Sequence, residues 1–304
     1  MPDDGAPDPY GAGRPPEAPR LGPSPGARPT GQQLLHATFA LLRQDKQMLA
    51  LPFVGMVSGV IAAVVFFAPG YALGWLVNGH HHGELAYYAG AALSGLAATI
   101  VSVFFQTALV VGANQRADGG EPSVRSCLAA AWRYRWTILA WSLVTSTVGL
   151  VLEIIQERLG FLGALLNFVG GLAWGIATFV VVPVLVAEDV GPVTAIRRST
   201  AVLRDTWGPS LRTAVRGGVL ATVFWVVSIA LLIVGVVMVF SGPSSLLVLG
   251  VAVLTTGAVA VIVVGTLVGA ASAYARALIY RYAVGLPTPG VDTFLIANAF
   301  QPKP

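Results

Sequence analysis

Few residues in this chain have the types and spacing that chemistry needs. Glu188 and Asp189 are adjacent carboxylates about one helical turn past Pro183, where a long apolar run ends. Such a pair suits a metal or a cationic partner. It also precedes the Gly191-Pro192 start of a helix, whose positive end favours acids without any ligand. Arg197, Arg198 and Arg212 lie near enough in sequence to pair with them, and this structural account is preferred. His80, His81 and His82 are consecutive beside Glu84. Neighbours in one loop rarely converge on one ion, and no zinc-ligand spacing is matched, so they read as a polar loop. Cys127 is the single cysteine, which excludes an intramolecular disulfide. It has no nearby His or Asp and reads as a small apolar residue. No phosphate loop, HExxH or GxSxG occurs. The expectation is a chain that is not an enzyme and holds no cofactor or metal.

The elements that carry these residues follow from composition. Hydrophobic residues make up 55% of the chain and charged ones 11%, where a soluble domain carries about 25% charged. Mean hydropathy is +0.74, as expected for helices that are apolar on most sides and sit in lipid. The net charge of +4 and pI near 9.5 do not point to nucleic acid. The charges cap apolar runs instead of forming one dense stripe.

The organisation reads as a Pro/Gly-rich tail over 1–31, a membrane domain over 32–284 and a short tail over 285–304. The tail is too polar to fold alone and lacks the pattern of a signal peptide. About 20 apolar residues cross a bilayer core of ~30 Å. Six runs qualify, over 49–68, 85–112, 136–155, 161–186, 217–240 and 246–273. The fold class expected is therefore all-α, a polytopic bundle of about six transmembrane helices. Of the 18 basic residues, only Arg158 falls in the connections on one side. The positive-inside rule then puts both termini in the cytoplasm of a bacterial inner or plasma membrane.

Three basic-side segments are amphipathic. Over 34–48, Leu34, Leu35, Phe39 and Leu42 oppose His36, Arg43 and Gln47. Over 191–207, Val193, Ala195, Ile196, Ser199, Val202, Leu203 and Trp207 oppose Arg197, Arg198, Arg204 and Asp205. A weaker case runs from Val124 to Arg135. These read as interfacial helices. Arg197, Arg198 and Arg204 would contact anionic lipid headgroups while Ile196, Leu203 and Trp207 sink beneath them, each charge contributing about 1 kcal/mol; the alternative is that this face packs on the spanning helices and leaves the arginines in water. Interfacial helix followed by spanning hairpin then occurs three times, with Arg43, Arg133 and Arg204 in register. An internal triplication explains this, and so does the general use of Arg and Trp at membrane boundaries.

Glycine pairs at four-residue spacing, Gly55/Gly59, Gly171/Gly175 and Gly265/Gly269, permit close helix packing or self-association. Apart from Glu153 at the outer end of the third run, no Asp, Glu, Lys, Arg or His falls inside any expected span. Intramembrane charge is the usual mark of a transport pathway, so a scaffold or accessory role is preferred over a small-solute or lipid transporter. Gln106 and Asn167 are the most polar groups within the spans.

The stretch FVVPVLVAEDVGPVTAIRRSTAVLRDTWG resembles the signature of an uncharacterised family of bacterial six-helix membrane proteins, through Pro183, Glu188, Asp189, Ala195, Ile196, Ser199, Leu203 and Trp207. It is more distantly similar to the membrane domain attached to some glycerophosphodiester phosphodiesterases. The resemblance covers 32–304 and implies six helices with amphipathic connectors. It implies no activity, since the soluble phosphodiesterase domain is absent from this sequence.

Overall fold

A computed structural model describes residues 46–76, 82–207, 219–241 and 244–288. The whole 1–31 tail, residues 32–45, His80, His81 and Arg212 lie outside the described residues, as do residues 289–304. After a 3-10 turn at Lys46–Leu49 come α1 (Ala50–Leu76), α2 (His82–Ala117), α3 (Val124–Arg133), α4 (Arg135–Ala177), α5 (Val181–Glu188), α6 (Pro192–Trp207), α7 (Val219–Ser241) and α8 (Leu247–Ala283). No strand occurs among the described residues. The fold is an all-α bundle with five helices long and apolar enough to cross a membrane. Val60, Phe161, Phe168, Phe240 and Val248 point outward and are more than half exposed, as lipid-facing side chains must be.

The 43 residues of α4 fold back on themselves at Gly160, whose φ of 54° breaks the helix. A straight helix would separate Trp141 and Trp174 by about 50 Å, yet their rings stack at 5.9 Å. Gly163 lets its arm approach the backbone of Gln156, and Asn167 donates to Gln156 across the turn. The two arms correspond to the runs expected over 136–155 and 161–186. Three antiparallel hairpins result: α1–α2, the arms of α4, and α7–α8. Short helix α3 precedes the second hairpin and α6 the third.

Two boundaries differ from expectation. The run over 161–186 is interrupted at 178–180, so that α5 is a separate element. Pro183 is the reason: its ring clashes with the carbonyl four residues earlier, at Phe179, and it donates no hydrogen bond there. In the first turn of α5 the missing N–H costs nothing. The last helix runs to Ala283, ten residues beyond the expected end at 273. Arg276 and Arg281 had marked the loop. Instead Ala273, Tyr274, Ala277, Leu278, Ile279 and Tyr280 are buried, and this packed face carries the helix onward.

Burial concentrates at the end of the bundle where the basic residues gather. One cluster joins Ile138 and Trp141 of α4, Val180, α5, α6 and the last turns of α8. A second joins Met48 and Leu51 to α2, α3 and α8. Here the packing alternative for α6 holds. Ala195, Val202 and Leu203 are buried within the protein, and Ile196 packs on the same cluster. The apolar face therefore covers the bundle instead of sinking into lipid. Connector and core each remove the other's apolar surface from water, which needs no headgroups.

Glycines close the helix contacts: of the four-residue pairs, Gly55 packs on Phe105 and Gly265 on Met56 and Trp225. Gly70 meets Gly90 across α1–α2, and Gly257 faces the Leu232 backbone across α7–α8. Gly171 and Gly175 face open space. Gly257→Leu should thus push α7 off α8 and lower the thermal midpoint in detergent, by roughly 1–3 kcal/mol of overpacking. Gly171→Leu should leave the midpoint unchanged.

Candidate functional site

The signature residues come together at the basic end, but not as a ligand site. Glu188 Oε1 accepts from Tyr280 Oη at 2.8 Å and from Arg198 Nε at 2.9 Å. This clasp ties α5 and α6 to α8, and the Glu188 carboxylate holds the Arg198 guanidinium above its ordinary pKa. Asp189 turns away. It ends α5 in the left-handed region at φ 48° and is exposed, a conformation that Asp tolerates better than most side chains. The adjacent carboxylates therefore diverge, and no group of three metal-ligating side chains occurs among the described residues. Arg197 is exposed, and Arg204 pairs with exposed Asp205 at 3.2 Å. Ser199 is fully buried in α6, its hydroxyl unpartnered.

Further ties close this end. Arg281 donates to Asp118 at 2.7 Å and to the Pro287 carbonyl at 2.9 Å. Tyr134 Oη donates to the Val186 carbonyl, and Gln47 to that of Pro122. Cys127 is buried beside Gln115.

Beneath these ties lie two adjoining cavities of about 470 and 420 Å³, within the size range of small-molecule sites. The larger is walled by α1, α2, α7 and α8, with Gly55, Gly59, Phe105, Trp225, Gly265 and Gly269 in its lining. The smaller is walled by α2, both arms of α4 and Val182, with Thr99, Thr145, Thr178 and the stacked Trp141 and Trp174. Ser102, Gln106 and Arg276 line both, so the polar groups sit at the junction.

Arg276 is the decisive member. Its Nε is buried without a hydrogen-bond partner, and among the described residues no carboxylate pairs with it. Its guanidinium lies 5.2 Å over the Phe179 ring, a cation–π contact that offsets part of the cost of desolvation. The break imposed by Pro183 sets Phe179 there, just ahead of α5. Glu188 lies near, one turn of α8 away, but is engaged by Tyr280 and Arg198. Of the two polar residues singled out within the spans, Gln106 lies at the junction and donates to Ser102 at 3.1 Å. Asn167 lies near the fold-back of α4, bonded to Gln156.

Residues 85–289 match a family of unknown function, DUF6159. The chain belongs to that family. No curated protein and no solved structure matches it. The family match takes in α3 to α8 and nearly all of α2, including every group at the cavity junction, and stops short of α1. The resemblance expected over 32–304 is thus supported over a shorter stretch.

Reading spans by charge misses Arg276, because a cation just after an apolar run reads as a loop. A signal was present: Gly265, Gly269, Ser272 and Arg276 recur at helical spacing and share one face.

If Asp189 serves the turn, Asp189→Gly should fold as well as the parent. Asp189→Val should lose about 1–2 kcal/mol, the cost of a side chain forced into the left-handed region. Chemical denaturation in mild detergent checks both. Equal loss in the two variants would show that the carboxylate itself is needed.

Proposed function

We propose that this protein takes a small solute or a lipid into the interior of its bundle, and so belongs with transporters and lipid-handling membrane proteins. The scaffold role preferred on sequence grounds rested on an absence of charge within the apolar runs, but α8 continues past its run and carries Arg276 into the cavity wall. A cation in a cavity wall at the basic end of a span, with no acid beside it, is a candidate contact for a ligand. The observation that carries the reading is Arg276, short of an acidic partner, in the wall of two adjoining cavities.

The wider setting is part of the same reading. Both termini lie in the cytoplasm of a bacterial inner membrane, as the one-sided distribution of Arg and Lys supports. The exposed Arg197 and Arg204 then face anionic headgroups. The distant similarity to the membrane domain of glycerophosphodiester phosphodiesterases fits a lipid-related role, without that enzyme's chemistry. The chain binds without catalysing. A lipid hydrolysis activity of the purified protein that Glu188→Gln abolishes would overturn this.

Accessibility tests the reading directly. In a Cys127→Ser background, a cysteine at Ser102 should react with a small thiol reagent in proteoliposomes. One at Ser142, which is fully buried, should react at least tenfold more slowly. Equal inertness at both positions would return the scaffold role. On intact cells, labelling of cysteines placed over 114–123 from the outside would overturn the orientation.

A further inference from the structure

We propose that the cavity binds one anionic amphiphile: its phosphate or carboxylate headgroup engages Arg276, and its acyl chain fills the glycine-lined chamber between α1, α2 and α8. This deepens the reading above and rests on it.

Three observations converge on that ligand class. The first is charge. Arg276 presents a planar array of donors with no acid partner among the described residues, and guanidinium matches phosphate or carboxylate with two parallel hydrogen bonds. Gln106 and Ser102 stand beside it at the junction, and Thr145, its hydroxyl also buried and unpartnered, lines the smaller chamber. Those groups suit headgroup oxygens. The second is polarity along the cavity. Away from the junction, the larger chamber is lined mainly by apolar and small side chains. A free inorganic anion would gain nothing from such a wall, whereas an acyl chain would.

The third is length and access. Eleven residues of α8 separate Arg276 from Gly265, about 16 Å of helix. That is close to half of the ~30 Å hydrocarbon core, so the chamber is as deep as one leaflet. Its charged end lies toward the basic end of the bundle, where the headgroups of that leaflet lie. Val60 and Trp225 line the chamber from α1 and α7, two helices that barely touch, since α7 packs chiefly on α8. The side between them faces the bilayer, which gives a lipid a lateral way in. Glycine is what opens the chamber. At Gly59 an added Cβ would meet only Val101, at 4.0 Å.

The test uses the full chain in phosphatidylcholine liposomes that contain a small fraction of lipid brominated on its acyl chains. Bromine quenches nearby tryptophan, and the difference between wild type and Trp225→Phe isolates Trp225. Brominated phosphatidylglycerol should quench Trp225 at fractions at least tenfold lower than brominated phosphatidylcholine. Arg276→Gln should abolish that preference, and Arg276→Lys should keep most of it. Gly59→Leu, which fills the chamber without touching the cation, should also abolish it. Arg197→Gln with Arg204→Gln should leave it unchanged, because those charges lie outside the cavity.

Equal quenching by the two lipids in wild type would overturn the proposal, as would a preference that survives both Arg276→Gln and Gly59→Leu. Complete displacement of the brominated anionic lipid by inorganic phosphate would show a free-anion site and overturn the amphiphile. A reactive thiol at position 102 with no anionic preference removes this proposal and leaves the cavity-binding role standing. An inert thiol removes both.

Discussion

Hydrocarbon offers a peptide group no hydrogen bond, and the rest of this structure follows from that constraint. Every long apolar run must be helical, and departures from helix are confined to places where protein supplies the missing partners. The turn at 178–180 is one such place. There the amide of Thr178 donates to the Trp174 carbonyl and that of Val181 to Thr178, while Thr178 Oγ1 returns to Trp174. The irregular backbone faces a cavity, the setting in which a membrane protein tolerates it. Pro183 forces the break, and the break sets Phe179 beneath the Arg276 guanidinium. A backbone rule and a candidate site thus meet in one turn.

The same shortage of partners governs the ionic groups. Among the described residues, the two acids that lie closest to α8 at the basic end are committed elsewhere. Asp118 takes Arg281, and Glu188 takes Arg198 and Tyr280. Arg276 lies one turn from Tyr280 on the same helix and receives neither acid. Evenly spread neutralisation would have placed a carboxylate in the cavity wall. An aromatic face there instead eases burial of the cation while leaving its N–H groups unengaged.

The connectors take on meaning in this frame. By covering the bundle with their apolar faces, α3 and α6 form its floor, and the Glu188 clasp locks α6 to the helix that carries the cation. The cation, its polar neighbours and the tryptophan pair all lie within the stretch shared with the family of unknown function. The wall contributed by α1 lies outside it. The headgroup end of the cavity thus belongs to the family-matched stretch, and part of the tail end is built from a helix beyond it.

How much of this was legible beforehand depends on the range of the forces involved. The apolar runs set the helices, since the solvation of a span is a property of its own residues. One-sided basic residues set which ends meet, and most of the apolar face of α6 was correct: Ala195, Ser199, Val202 and Leu203 are buried, while Val193 is exposed. What that face would cover was not legible, because lipid and protein core accept the same side chains. Gly160 did not announce a fold-back, nor did Arg276 announce a cavity. A charge after an apolar run reads locally as the end of a span. Only the packing of Tyr274, Leu278 and Ile279 against other helices shows that α8 continues through it. The sequence by itself determined a helical membrane protein and the order of its spans, through short-range hydrophobicity and charge. Tertiary structure alone decided that Arg276 would line a cavity beside an aromatic ring, with no acid among the described residues to pair it. Pairing depends on distances between residues far apart in the chain, and those exist only once the helices have packed.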